Sequence, residues 1–286
     1  MAPQKNLALI FSKVPTAFPK PGEDLTIQDL GYDPSAPAPE DGLVLELLYA
    51  SFDPYLRGLL RPADVKSYFP ALPLNKPIMN ACLAKVLKSN IPSLHEGDTV
   101  TGRLPFVQYA VLSASDLKSL GGPPQKLDVE AGPPDLRDWL GALGMPGLTA
   151  YSSFYEIGAP KKGETIFVSS AAGAVGQLVG QLAKHEGLTV IGSVGTDDKL
   201  DFITSQVGYD AGFNYKKESY DDALKRLAPQ GVDIYFEKYV TSLSSPLPSA
   251  QSHSLTPSFP PTASEAKLSR RCSRTSIAAG ASSPAA

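Results

Sequence analysis

Short apolar runs separated by Gly and Pro dominate the first half of the chain. "NLALIF" (residues 6–11) opens the series, and "GLVLELLYASF" (residues 42–52) follows with apolar alternation at its start. "MNACLAKVLKS" (Met79–Ser89) and "FVQYAVLSA" (residues 106–114) continue it, and "EGDTV" (residues 96–100) has the composition of a tight turn entering another strand. Short strands at such intervals predict a small β-barrel over residues 1–138. From about Leu136 the period changes. "DLRDWLGALGMPGLTAYSSFYEIGA" has helical spacing interrupted at Pro146. An apolar run, a glycine turn and a helix follow in "GETIFVSSAAGAVGQLVGQLAKHEG". A strand (188–194), a helix ("DDKLDFITSQVG"), a short strand (211–215), a helix ("SYDDALKRLAP") and a fourth strand (231–237) complete the pattern. Strands alternating with helices predict a parallel sheet with crossover helices over residues 139–237.

The periodicity ends at Lys238. Residues 238–286 hold 13 serines, 6 prolines and one acidic residue, Glu265. Such a segment buries too little apolar surface to offset the entropy of ordering it, so disorder is expected there.

Composition narrows the function classes. Apolar residues make up 42% of the chain, charged residues 19%, and the formal net charge is −3. That balance supports a packed core and gives no reason to expect a nucleic acid or an acidic membrane as partner. No apolar run reaches the length of a membrane span, and the start reads as a first strand rather than a signal peptide. The two cysteines, Cys82 and Cys272, and three histidines lack disulfide-framework or metal-ligand spacing, so no metal site is expected and a reducing, cytoplasmic location is the default.

The chemistry-bearing stretch is "IFVSSAAGAVGQLVGQLAK" (residues 166–184), with Ala171-x-Gly173-x-x-Gly176 between a strand and a helix. It is a dinucleotide-binding fingerprint with alanine in its first place. Gly173 would admit a pyrophosphate close to the backbone, Gly176 would let helix and strand pack tightly, and the N–H groups of Ala174, Val175 and Gly176 would face the phosphates. A strand–turn–helix with small residues for packing explains the same pattern. At the second strand's end, "GSVGTDDK" (residues 192–199) is small and neutral at Gly192, Ser193 and Gly195 where an NAD site usually has Asp or Glu. Lys199 follows and can neutralise a 2′-phosphate, so NADPH is expected over NADH. Asp197 and Asp198 oppose this mildly unless they cap the next helix. Lys199 also fits a plain solvated helix residue.

Five motifs then coincide in order: "ASFDPYLRGLL" (50–60), "GMPGLTAY" (144–151), "AAGAVGQLVGQLAK" (171–184), "GSVGTDDK" and "FNYK" (213–216). Together they resemble the zinc-independent medium-chain dehydrogenase/reductases, in particular the NADPH-dependent alkenal and prostaglandin reductase branch, also called leukotriene B4 12-hydroxydehydrogenase-like. The resemblance covers residues 1 to about 237. It implies an α/β architecture in which a GroES-like barrel precedes a Rossmann doubly wound sheet, here cut after its fourth strand. It implies hydride transfer from NADPH to the β-carbon of an α,β-unsaturated ketone or aldehyde. By the same resemblance Gly173 to Gly176 hold the pyrophosphate, Lys199 and Tyr215 contact the 2′-phosphate, Met145 and Thr149 lie near the nicotinamide, and Tyr55 lies near the substrate. Tyr55 is the candidate oxyanion donor; a tyrosine packed beneath the cleft is the alternative.

The resemblance breaks where Lys238 stands in place of a family asparagine and no glycine pair follows. The later family elements, including the sixth strand that commonly pairs subunits into a homodimer, have no counterpart in the tail. Two further readings stand beside enone reduction: a quinone or secondary-metabolite reductase of the same superfamily, and a catalytically defective NADPH-binding product.

Overall fold

The structure is a computed structural model that describes residues 4–67 and 69–237. The expected disordered tail, residues 238–286, lies outside the described residues. The chain divides between Leu140 and Gly141 into two compact units.

The first unit is built from antiparallel strands. Strands β1 (Leu7–Phe11), β2 (Leu25–Asp29), β3 (Leu43–Ala50), β4 (Lys76–Pro77), β5 (Met79–Ser89), β6 (Thr99–Pro105), β7 (Tyr109–Leu112) and β8 (Gln125–Lys126) come in chain order, with single-turn helix α1 (Leu56–Leu59) after β3 and α2 (Ala114–Leu120) after β7. They form a three-stranded sheet, β2-β1-β4, and a five-stranded sheet, β7-β3-β5-β6-β8. Alternation on these strands turns Ile10, Leu43, Leu45, Val86 and Val100 into one core around Phe11. Each such fully buried side chain contributes about 1.5–3 kcal/mol from leaving water. Gly97, at φ +90°, makes the tight turn into β6 that a side chain would strain.

The strand expected over 106–114 ends earlier, at Leu112. Ser113 caps α2 in a reciprocal box with Asp116, so Ala114 begins a helix. The local capping chemistry overrides the apolar run. Strands β4 and β8, two residues each, are too short to carry an alternation, whereas β2 alternates from Leu25 to Gln28.

The second unit holds α3 (Met145–Ser152), β9 (Thr165–Val168), α4 (Ala174–His185), β10 (Thr189–Val194), α5 (Asp197–Phe202), β11 (Ala211–Asn214), α6 (Tyr220–Leu227) and β12 (Ile234–Phe236). Pro146 does not interrupt a helix. It occupies the first turn of α3, where its missing N–H costs nothing. The helix expected across "DDKLDFITSQVG" gives way after Phe202 to a wider π turn, Ile203–Val207, closed by Gly208 at φ +92°.

The four strands are parallel, in the order β11-β10-β9-β12. Side chains of β9 alternate between two cores. Ile166 and Val168 pack with Phe154, Val179, Ala183 and Ile203 on one face, whereas Phe167 joins Phe213, Ala223 and Leu224 on the other. A sheet covered on both faces is the doubly wound arrangement. The chain runs β9, β10, β11 in one direction and then crosses to place β12 on the other side of β9. Ligands of such sheets bind at the carboxyl ends beside that reversal.

Candidate functional site

The turn from β9 into α4 lies at the carboxyl end of the sheet. Ser170, beyond β9, sits at φ +49°, a conformation costly for a residue with a Cβ. Its carbonyl accepts the N–H of Gly173 at 2.8 Å, which closes the turn. Ala171 N–H donates to the Ser193 carbonyl at 3.0 Å and ties the turn to β10. Gly173 is the N-cap of α4, extended at φ −77°, with no side chain capping the helix. Its backbone conformation is open to any residue, so the absence of a side chain is what glycine contributes there. The first N–H groups of α4, on Ala174, Val175 and Gly176, have no partner within the helix. Gly176 permits no side chain: a Cβ would lie 2.7 Å from the carbonyl oxygens of both Ser170 and Ala171. Val175 points into the core, so only its backbone can face a ligand.

The end of β10 gathers a second group. Gly195 lies under Tyr215, whose hydroxyl would stand 2.7 Å from a Cβ added there. Tyr215 N–H donates to the Val194 carbonyl at 3.1 Å, and its ring stacks on Tyr220. Lys199, the third residue of α5, is exposed, and no hydrogen bond or ion pair among the described residues engages its ammonium. Ser193 departs from expectation. It is completely buried, its Oγ has no hydrogen-bond partner, and its carbonyl serves the glycine turn instead. Its place on the inner side of β10 offers a ligand no atom of the side chain.

Asp197 does not cap α5, whose N-cap is Thr196. Its carboxylate accepts Asn214 Nδ2 at 2.9 Å and pairs with the Lys217 ammonium, and these two bonds hold its pKa below the usual carboxylate range. The charge of Asp197 is therefore already matched, whereas Asp198 makes no ion pair among the described residues.

In α3, Met145 and Thr149 are four residues apart and share a face; Met145 is exposed and Thr149 half-buried. Gly147 between them admits no Cβ, which would fall 1.7 Å from the Ala142 carbonyl oxygen.

Tyr55 belongs to the first unit, where it immediately precedes the single turn α1 and makes no side-chain capping bond to it. Its hydroxyl donates to Asn80 Oδ1. The amide of Asn80 donates in turn to the Ser51 carbonyl at 2.8 Å and to Asp53 Oδ2 at 2.6 Å. Burial, and next the charge of Asp53, push the phenol above the ordinary tyrosine value. Tyr55 is thus held as a neutral donor at neutral pH. Its neighbours Asn80 and Asp53 were not singled out in the sequence. Asp53 stood inside a quoted motif, but Asn80 lies on another strand and nothing local marks it.

The structure brings Gly173–Gly176 together with the end of β10, and Gly195 together with Tyr215, while Lys199 lies exposed on the helix that follows. Among the described residues no group of three His, Cys, Asp or Glu side chains could hold a metal ion, and no helix is long and apolar enough to cross a membrane.

Comparison with known proteins agrees with this architecture. The profile described as "N-terminal domain of oxidoreductase" matches residues 9–120. The profile described as "Zinc-binding dehydrogenase" matches residues 174–245, running past the boundary drawn at Glu237. The chain is 48% identical over 235 residues to the NADP-dependent oxidoreductase RED1 of Cochliobolus heterostrophus, covering 82% of this chain and 65% of that one. It is 40% identical over 234 residues to the 2-alkenal reductase (NADP(+)-dependent) of Nicotiana tabacum, covering 81% and 65%. The chain thus spans 65% of the length of each of these curated relatives. The crystal structure of CurA from Vibrio vulnificus in complex with NADPH superposes with a TM-score of 0.71 at 29% identity, over 82% of this chain and 66% of that one. With an antiparallel unit preceding a parallel sheet of order β11-β10-β9-β12, and with these relatives, the chain belongs to the medium-chain dehydrogenase/reductase superfamily.

Proposed function

We propose that the chain carries the binding elements of an NADPH-dependent reductase acting on the carbon–carbon double bond of α,β-unsaturated ketones or aldehydes. The observation that carries this reading is the end of β10. Gly195 is neutral and lies under Tyr215, Asp197 is consumed by Asn214 and Lys217, and the Lys199 ammonium is unengaged among the described residues. That arrangement suits a 2′-phosphate better than a bare ribose diol. The 2-alkenal reductase relative supports the substrate class.

NADPH, when bound, supplies the hydride that reaches the β-carbon of the substrate. The turn Ser170–Gly176 fits its pyrophosphate, because the uncapped start of α4 offers backbone N–H groups at the positive end of the helix dipole. Lys199 and Tyr215 would hold the 2′-phosphate, and Met145 and Thr149 would border the nicotinamide. Tyr55 donates its hydroxyl hydrogen to the carbonyl oxygen of the substrate. As hydride arrives at the β-carbon, negative charge collects on that oxygen, and the Tyr55 hydrogen turns from Asn80 Oδ1 to stabilise it. The α-carbon then takes a proton from a hydroxyl or from water.

NADPH oxidation by the full chain with a simple enone or enal tests the reading. Turnover with NADPH exceeding that with NADH is expected. Binding of NADPH without turnover of any enone, enal or quinone overturns the reductase assignment, and equal use of NADH overturns the reading of the β10 end.

A further inference from the structure

We propose that Asn80 is a positioning residue that aims the Tyr55 hydroxyl and restricts its donation to the charged form of the substrate oxygen. The inference rests on the reductase reading above. Asn80 is the second residue of β5 and is 4% exposed. Its pairing with β6, Asn80 opposite Leu104, holds it on a rigid strand, whereas Tyr55 stands on the loop between β3 and α1.

Every hydrogen-bonding position needed from the amide is in use. Nδ2 carries two hydrogens, and they go to the Ser51 carbonyl and to Asp53 Oδ2. The orientation of the amide is forced: turned over, its oxygen would face two acceptors. Oδ1 therefore faces Tyr55. Since an amide oxygen has no hydrogen to give, the phenol must be the donor. Asp53 thus sets the amide, and the amide sets the phenol.

This has a consequence for selectivity between ground state and transition state. A neutral substrate carbonyl competes for the phenol hydrogen against the Asn80 amide oxygen and the adjacent Asp53 carboxylate, and does not win it. An oxygen that has become negative is a far stronger acceptor and takes the hydrogen bond. Donation is then made at the point where hydride transfer creates charge, and what Asn80 adds to kcat is the fixed position of the phenol oxygen, which the loop alone does not set.

The test is a double-mutant cycle in the full chain. Asn80→Leu removes the amide at nearly constant volume, and Tyr55→Phe removes the hydroxyl. With an enone and NADPH, Asn80→Leu is expected to lower kcat about tenfold, the equivalent of one misdirected hydrogen bond, while KM for NADPH stays put. In the Tyr55→Phe background the same substitution should change kcat by less than about twofold. If Asn80→Leu is insoluble, Asn80→Ser, which leaves the site small and polar, is expected to show the same coupled loss. A wild-type kcat in a soluble Asn80 variant, or an equal loss with and without the Tyr55 hydroxyl, overturns the proposal. Should the wild-type chain reduce nothing, the reductase reading fails separately. The hold of Asn80 on Tyr55 is then read by ultraviolet titration of the phenol, identified by its loss in Tyr55→Phe. A curve unmoved by Asn80→Leu overturns the proposal there too.

Discussion

Two loops in this chain to which the proposed function gives roles are built by opposite means. Each leaves a strand and enters a helix: β9 into α4 through Ser170–Gly173, and β3 into α1 through Ser51–Tyr55. The first works by lacking side chains. Gly176 leaves no room for a Cβ against two carbonyl oxygens, and α4 begins without a cap, so its backbone N–H groups face outward. The second works by side chains held in a chain of bonds, Tyr55 to Asn80 to Asp53. A backbone site tolerates variation in whatever residues keep it bare, whereas a side-chain site depends on one distant partner. The two loops should therefore fail differently when mutated.

The largest failure is expected in the bare loop. Gly176→Val forces methyl groups into carbonyl oxygens 2.7 Å from the Cβ alone. Overpacking of about 1–3 kcal/mol or more should lower the melting temperature and remove measurable NADPH binding together. Calorimetry and NADPH fluorescence check this, and a variant that still binds NADPH normally breaks the contrast between the loops. The side-chain loop should fail without unfolding. Tyr55→Phe is expected to reduce kcat with an enone by about 10²-fold, the usual scale for one oxyanion donor, at unchanged melting temperature. Steady-state kinetics with both substrates varied would show it.

A third substitution sharpens the reading of the β10 end. Lys199→Ala should raise KM for NADPH about tenfold, as expected for one charge-assisted contact, and leave KM for NADH alone. Parallel loss with both cofactors would place Lys199 outside the phosphate site. The smallest effect is expected at Asp197. Asp197→Asn frees the Lys217 charge and should tighten NADPH by about twofold, since an exposed ion pair contributes little. Because the folded pKa of Asp197 is lowered, its pairing stabilises the fold above the ordinary carboxylate pKa and fades as pH falls through the lowered value. The melting temperature of Asp197→Asn should thus depend less on pH than that of the wild type between neutral and acid, which a pH series of melts resolves.

The same contrast explains how much was legible beforehand. The parallel half could be read almost strand by strand, because buried parallel strands are continuous apolar runs punctuated by Gly. Thr189–Val194 and Ala211–Asn214 lie within one residue of expectation, whereas the fourth strand, expected over 231–237, is confined to Ile234–Phe236. The antiparallel half was read less completely. The two-residue strands β4 and β8 are recognisable only by what they pair with, and the capping box at Ser113 ended a strand that apolar content alone would have continued. Among the candidate residues, Ser193 shows the limit: a small neutral residue at a strand end can face either the ligand or the core, and alternation along β10 turned it inward.

What the sequence determined by itself was the order of elements and the places where the backbone must be bare. Those follow from period, glycine spacing and composition, which are local properties. What only the tertiary structure decided was which polar groups satisfy one another. Asn80 and Tyr55 are separated by a helix and a strand, and Asp197 meets Asn214 and Lys217 only once β10 and β11 lie side by side. A buried hydrogen-bond partner is chosen by proximity after folding, and proximity between distant segments leaves no period in the chain.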